Sequence, residues 1–213
     1  MINYPIIVAI SGASGTVYGL RLLQFLLSNN YKVELVFSES AIKVAKNETN
    51  LNLSTNPDVL KEQVLSYLQQ LELRTLLNIW SFDDIAASIS SGSYKTAGMI
   101  IIPASMGTIS GVANGTSDNL ITRAADVCIK EKRKLVLVPR EMPFSPIHLE
   151  NLLKLSKLGA IVAPACPGFY HKPNEVNEMI DFVVGKVLDL FEIEHDLFKR
   201  WEKTKKEIKS VVN

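Results

Sequence analysis

Short apolar runs alternate with longer helical patterns along this chain, and that alternation constrains its fold more than any other feature. Ile6–Ser11, Val33–Phe37, Met99–Pro103, Leu135–Val138 and Ala160–Ala163 read as buried strands. Helical patterns fill Val17–Leu27, Val59–Leu71, Asn119–Glu131, Ile147–Lys157 and Asn174–Phe191. The first of these carries Leu20, Leu23, Phe25 and Leu26 as its apolar face. The stretch Asn47–Leu77 is polar and less regular, and Asn56-Pro57 marks a turn before its helix. This βαβ rhythm predicts one parallel, doubly wound sheet with helices on both faces. The expected architecture is a single-domain, Rossmann- or flavodoxin-like three-layer α/β fold over residues 1–213, with a helical tail from about 194. A hydrophobic content of 47% over 213 residues is ample for such a core.

Composition removes several function classes. Lys plus Arg number 23 against 22 Asp plus Glu, so the basic footprint of a nucleic-acid binder is missing. The two cysteines, Cys128 and Cys166, sit far apart in apolar settings without a CxxC pair, and each is expected to be a small core residue. No His, Cys, Asp or Glu spacing suggests a metal. The N-terminal apolar run, Ile6–Ile10, stops at once in Ser-Gly-Ala-Ser-Gly, too soon for an export signal, and no run approaches transmembrane length. A cytoplasmic location is expected.

The chemistry is expected where strands end, because open α/β sheets place ligands outside the carboxyl ends of their strands. Gly12, Ala13, Ser14 and Gly15 follow the first strand and open a helix. Small residues there admit a ligand to the backbone N–H groups, and a helix N-terminus favours an anion. The spacing Gly12, Gly15, Gly19 does not match GxGxxG, which disfavours a dinucleotide against a mononucleotide. Ser38 leaves the second strand as a crevice residue or a helix cap. Ser105, Met106, Gly107 and Thr108 leave the next strand as a hydroxyl-bearing turn into another helix. Arg140 exits Leu135–Val138 with a planar fork suited to phosphate or carboxylate, and Glu141 beside it can hold that arginine or move a proton. Taken singly, each also has an ordinary structural role: a tight turn, a cap, or a surface ion pair.

Five blocks carry a resemblance: ISGASG, DIAASISSGS at 84–93, RAADVCIKEKRKLVLVPRE at 123–141, PIHLENLLKLSKLGA at 146–160 and PGFYHKP at 167–173. In this order they resemble the flavin prenyltransferases, the UbiX-type enzymes formerly described as aromatic acid decarboxylases, in register from about Ile6 to Trp201. The resemblance implies FMN contacts from Gly12, Ala13, Ser14, Ser38, Ser91, Gly92, Ser105, Met106, Gly107, Thr108, Arg123 and Arg140. It implies that Ser91-Gly92-Ser93 covers the flavin, often of a neighbouring subunit, and that Lys130, Arg140, Tyr170 and Lys186 bind the phosphate of dimethylallyl phosphate. Ser14, Glu48, Lys130, Arg140 and Glu141 are the implied catalytic group, with Glu48 and Glu141 as its acidic pair. Two positions depart from the family pattern: Lys186 stands where arginine is usual, and Ile85 where many relatives carry tryptophan. His148 and His171 are expected to be satisfied polar residues.

The implied reaction joins a dimethylallyl group to N5 and C6 of reduced FMN without a metal, making prenylated FMN for a UbiD-type decarboxylase. A homo-oligomer, commonly a dodecamer, goes with it. The alternatives are an FMN-dependent cysteine decarboxylase of the same fold, which uses an early histidine absent before His148, and a non-catalytic flavin-binding or delivery protein.

Overall fold

The computed structural model describes residues 4–201. They fall into two compact units, one reaching to Ala165 and the other beginning at Cys166. The first contains six strands: β1 (Ile6–Ile10), β2 (Val33–Phe37), β3 (Leu77–Trp80), β4 (Gly98–Ala104), β5 (Lys134–Pro139) and β6 (Ile161–Val162). All pair in parallel, in the order β3-β2-β1-β4-β5-β6. Its helices are α1 (Thr16–Ser28), α2 (Glu39–Thr49), α3 (Pro57–Leu68), α4 (Met106–Asn114), α5 (Leu120–Lys130) and α6 (Pro146–Lys157). The second unit holds α7 (Val176–Leu190).

Every residue of β1 and β4 is buried, as a parallel strand covered on both faces requires. On one face Ile7, Ala9, Met99, Ile101, Leu135 and Leu137 pack with Ile109, Ala124, Cys128 and Leu155 of α4, α5 and α6. Strand pleating turns Ile6, Val8 and Ile10 to the other face. There α1 lies so close that a Cβ on Gly19 would stand 2.6 Å from both Ile10 and the Ile102 carbonyl. Leu22, Leu23, Leu26 and Leu27 of α1 are fully buried, each worth about 1.5–3 kcal/mol relative to exposure.

Five strands were expected, and six are present among the described residues. The additional one, β3, lies at the sheet edge, with Leu77 and Ile79 buried and Asn78 exposed. Four residues at the end of a polar stretch are too few for a period-two pattern to stand out. Helix α3 starts at Pro57, because the Asn56 side chain accepts from the N–H groups of Asp58 (3.0 Å) and Val59 (3.2 Å). It ends at Leu68, short of the expected Leu71, where Gln69 turns left-handed at φ 56°.

Cys128 is buried, and burial pushes its thiol up to about 12, but Cys166 is exposed rather than a core residue. Its Pro164–Pro167 setting is an irregular turn outside any helix or strand. Of the expected helical tail, residues 193–201 carry no helix and the remainder lies outside the described residues.

Candidate active site

The strand order reverses direction between β1 and β4, the topological switch point at which α/β sheets open a crevice. Ser11, fully buried, joins the two strand ends there. Its hydroxyl donates to the Pro103 carbonyl (2.9 Å) and accepts from the Ser105 N–H (2.7 Å). The only sequence signal for this residue is a hydroxyl placed directly after an apolar strand. Beyond it, Ser105 caps α4 by accepting from the Thr108 N–H at 3.3 Å. Gly107, in the first turn, is exposed, and no atom lies within 4 Å of where its Cβ would be. The start of α4 is therefore an open cradle of backbone N–H groups.

Helix α1 starts differently. Gly15 caps it at φ 110°, and the anion its N-terminus invites is supplied by the protein itself. The Glu48 carboxylate, from the last turn of α2, accepts from the Gly15 N–H at 3.0 Å to each oxygen and from the Thr16 N–H at 2.9 Å. Partial burial would raise the Glu48 pKa, but hydrogen bonds from the Ser14 hydroxyl and from the Gly15 and Thr16 backbone outweigh it and hold it low. Ligand space was expected beside Gly12, but a Cβ there would meet the Ser40 side chain, 2.5 Å from its Cβ. Ser38 is the expected cap, accepting from the Ala41 N–H at 3.1 Å, with its hydroxyl 3.0 Å from that of Ser40. Ala13 is buried behind this loop.

Arg140, half-buried at the end of β5, reaches across to the same loop, and its Nε donates to the Ser14 carbonyl at 3.1 Å. Glu141 does not hold it. That exposed carboxylate instead accepts from the N–H of Met142 at 3.0 Å, because the chain turns away directly after the strand. Arg123 pairs with Asp126 on its own helix at 3.7 Å. Ser14, Glu48 and Arg140 thus converge at the switch point, alongside the Ser105–Thr108 turn.

Lys130 does not join them within one chain. It is the last residue of α5, ahead of β5, whereas Arg140 follows that strand. Six residues of strand separate the two by about 20 Å. The Ser91-Gly92-Ser93 loop lies at this same amino-terminal edge. Arg133 ties it down, donating to the carbonyls of Tyr94 (2.7 Å) and Gly92 (2.5 Å), and a Cβ on Gly92 would land on the Glu131 carboxylate. Tyr94 in turn donates to the buried carboxylate of Glu34 at 2.6 Å, which also accepts from Trp80 (2.6 Å) and Asn78 (3.0 Å). Burial, then the Glu34 carboxylate, pushes the Tyr94 hydroxyl up to about 12. Glu34 is the one charged residue of the VELVF strand, a visible signal of a buried polar network. Ile85 is 55% exposed and supplies no aromatic wall.

In the second unit Tyr170 meets Phe182 and Trp201 edge-on, at 5.6 and 5.5 Å between ring centroids. Lys186 stands 3.6 Å from Asp189, and the same carboxylate accepts from Arg200 and His195. His148 is satisfied as expected: its Nδ1 accepts from the Ser145 N–H in a reciprocal cap. His171 is not. It stacks on Phe182 at 5.3 Å, and both of its ring nitrogens are buried without a partner. Among the described residues no three or more His, Cys, Asp or Glu side chains gather as metal ligands.

A family model described as Flavoprotein matches residues 1–188. The flavin prenyltransferase UbiX of Alkalihalophilus pseudofirmus is 52% identical over 194 residues, covering 91% of this chain and 94% of that protein. The chain belongs to the flavin prenyltransferases. Among solved structures, AnUbiX (PadA1) in complex with FMN and dimethylallyl pyrophosphate superposes with a TM-score of 0.82 at 37% identity, covering 95% of this chain and 99% of that one. A dodecameric FMN-dependent UbiX-like decarboxylase from Escherichia coli O157:H7 gives 0.81 at 42% identity, covering 93% and 100%. The parallel α/β sheet is thus the prenyltransferase fold, and among the described residues no helix is long and apolar enough to cross a membrane.

Proposed function

We propose that this chain joins the dimethylallyl group of dimethylallyl phosphate to N5 and C6 of reduced FMN, releasing phosphate and supplying prenylated FMN to a UbiD-type decarboxylase. The convergence of Ser14, Glu48 and Arg140 beside the Ser105–Thr108 turn carries this reading. It joins a guanidinium and hydroxylic loops at a switch point with no dinucleotide fingerprint.

FMN fits these residues. The start of α4 is open and lined by Ser105, Gly107 and Thr108, so its N–H groups suit the flavin phosphate. The start of α1 suits the ring rather than a second anion, because Glu48 already fills it. Reduced FMN supplies the electron-rich ring edge that the allylic carbon joins. Arg140, held on the Ser14 carbonyl, presents its remaining N–H groups to charge developing on the departing phosphate. Glu48, kept ionised by its hydrogen bonds, is a weak proton acceptor and fixes the loop. Glu141, whose exposed carboxylate accepts only from the Met142 N–H among the described residues, keeps lone pairs available for the proton lost from C6.

Lys130 and the Ser91-Gly92-Ser93 loop lie on the opposite edge of the sheet, so they complete a site only when brought by another copy. A homo-oligomer, with the dodecamer of the E. coli relative as its pattern, would bring them to it. The test is anaerobic incubation of the purified protein with reduced FMN and dimethylallyl phosphate. A gain in flavin mass with stoichiometric phosphate release is expected. Flavin bound but unchanged would leave a binding or delivery protein, and carbon dioxide release from a cysteine substrate would indicate the decarboxylase.

A further inference from the structure

Asp189 is the hub of an ionic cluster in the second unit. Arg200 donates to it twice, from Nη1 to Oδ2 at 3.1 Å and from Nη2 to Oδ1 at 2.7 Å. His195 reaches the same carboxylate at 3.1 Å, and Lys186 stands at 3.6 Å. The His195 Nδ1 accepts from the Leu197 N–H, which turns Nε2 toward Asp189. Two cations therefore share one anion. Their exposure differs from that of their anchor: the Arg200 and Lys186 side chains are 50% and 56% exposed, whereas Asp189 is 22% and His195 0%. The carboxylate is held inside and the positive heads face out.

The two heads are not equivalent. Lys186 offers a point charge, whereas Arg200 holds Asp189 through both Nη atoms, with Nη2 also 3.4 Å from His195 Nε2, and keeps its Nε–H in the plane that this pair fixes. Arg200 also lies over the Phe198 ring at 5.5 Å, and its chain neighbour Trp201 packs edge-on against Tyr170. Arg200 is therefore braced from two sides and adjoins the Tyr170 group in the chain.

We propose that Arg200 is a phosphate-binding residue for the prenyl donor, acting with Lys186 from their shared anchor on Asp189 and providing the fixed orientation that Lys186 lacks. This rests on the reading that Tyr170 and Lys186 bind the donor phosphate. Asp189 and His195 are positioning residues that hold the pair.

The test uses Arg200→Ala and Arg200→Lys in the full chain loaded with oxidised FMN, which binds without turnover. Dimethylallyl phosphate is titrated by calorimetry, and KM, kcat and FMN affinity are measured separately. Arg200→Ala is expected to weaken dimethylallyl phosphate binding roughly tenfold or more, the loss of a charge-assisted pair. Arg200→Lys should fall between it and wild type, with FMN affinity unchanged in both. A purely structural tie to Asp189 would lower thermal stability while leaving KM and the calorimetric affinity alone. If folded Arg200→Ala binds dimethylallyl phosphate within twofold of wild type, or folded Arg200→Lys binds it as tightly as wild type, Arg200 is only an ion-pair partner and the proposal is overturned. Arg200→Lys keeps that outcome accessible should Arg200→Ala fail to fold. Wild-type protein that binds no dimethylallyl phosphate would instead overturn the proposed function, and this assignment with it.

Discussion

Glu48→Gln should separate the structural role of this carboxylate from any part it has in proton transfer. Glu48 accepts from Gly15 at 3.0 Å to each oxygen and from Thr16 at 2.9 Å, so it closes the first turn of a 13-residue helix from 33 residues away. Glutamine keeps one acceptor oxygen, turns an NH2 toward one of those amides, and removes the charge. Losing an anion at a helix N-terminus costs about 0.3–1 kcal/mol when exposed and up to ~2 kcal/mol when partly buried. For a chain of this size each kcal/mol lowers Tm by roughly 2–4 °C. The pH dependence has a definite sign. The folded-state pKa of Glu48 lies below its ordinary 4.5, so its contribution is present above that value and lost as pH falls through the lower folded one. Thermal unfolding followed by circular dichroism should show a full gap between wild type and Glu48→Gln at pH 7, closing below about pH 4.5. Equal melting temperatures at pH 7, or a gap that persists unchanged into acid, would refute the helix-cap assignment.

Ser11→Ala strands the Ser105 N–H in a buried seat and should cost about 1–3 kcal/mol, with weaker FMN binding in a fluorescence titration because the α4 turn loosens. Gly12→Ala drives a methyl into Ser40, so it should destabilise the fold on its own, while the Gly12→Ala/Ser40→Gly pair recovers part of the loss in denaturant melts. Lys130→Ala and Arg140→Ala should each suppress prenyl transfer, and refolding the two together should restore some of it, since mixed oligomers would contain sites with both cations intact. Lys186→Arg should lower the KM for dimethylallyl phosphate without moving FMN affinity. Turnover should survive EDTA.

What could be read from the sequence was what depends on neighbours in the chain. Buried parallel strands announce themselves as apolar runs, and Ser38, Ser105 and Asn56 announce their helices because a cap acts over three residues. Arg140 was legible as a strand-exit guanidinium. Its partner was not: the Ser14 carbonyl is 126 residues away, and Glu141 next door looked the better match. Glu34 and Arg133 escaped for the same reason, since each secures the 91–96 loop through contacts 37 to 60 residues distant. Within one chain the sheet topology keeps Lys130 apart from Arg140. A helix feeding a parallel strand must end at the edge where that strand begins, so residues on either side of β5 face opposite ends of the sheet.

That topological rule also explains how such a small chain could build a demanding site. Each parallel strand delivers one loop to the carboxyl edge, and β1, β2, β4 and β5 deliver Ser14, Ser38, Ser105 and Arg140 there. Helices α1, α2 and α4 all begin at this edge, and the starts of α1 and α4 carry the Gly12–Gly15 and Ser105–Thr108 loops. If both remained open, a mononucleotide could bind with its phosphate at either. On the proposed function, Glu48 removes the choice by filling α1, which would leave the α4 cradle for the phosphate and turn the flavin ring toward Ser14 and Arg140. The chain's own carboxylate would then orient a ligand that these two helix starts could otherwise accept in two directions. Glu48→Gln should accordingly loosen flavin orientation, read as broadened flavin fluorescence anisotropy decay, beyond its effect on stability. An unchanged decay alongside a lowered Tm would confine Glu48 to the helix cap.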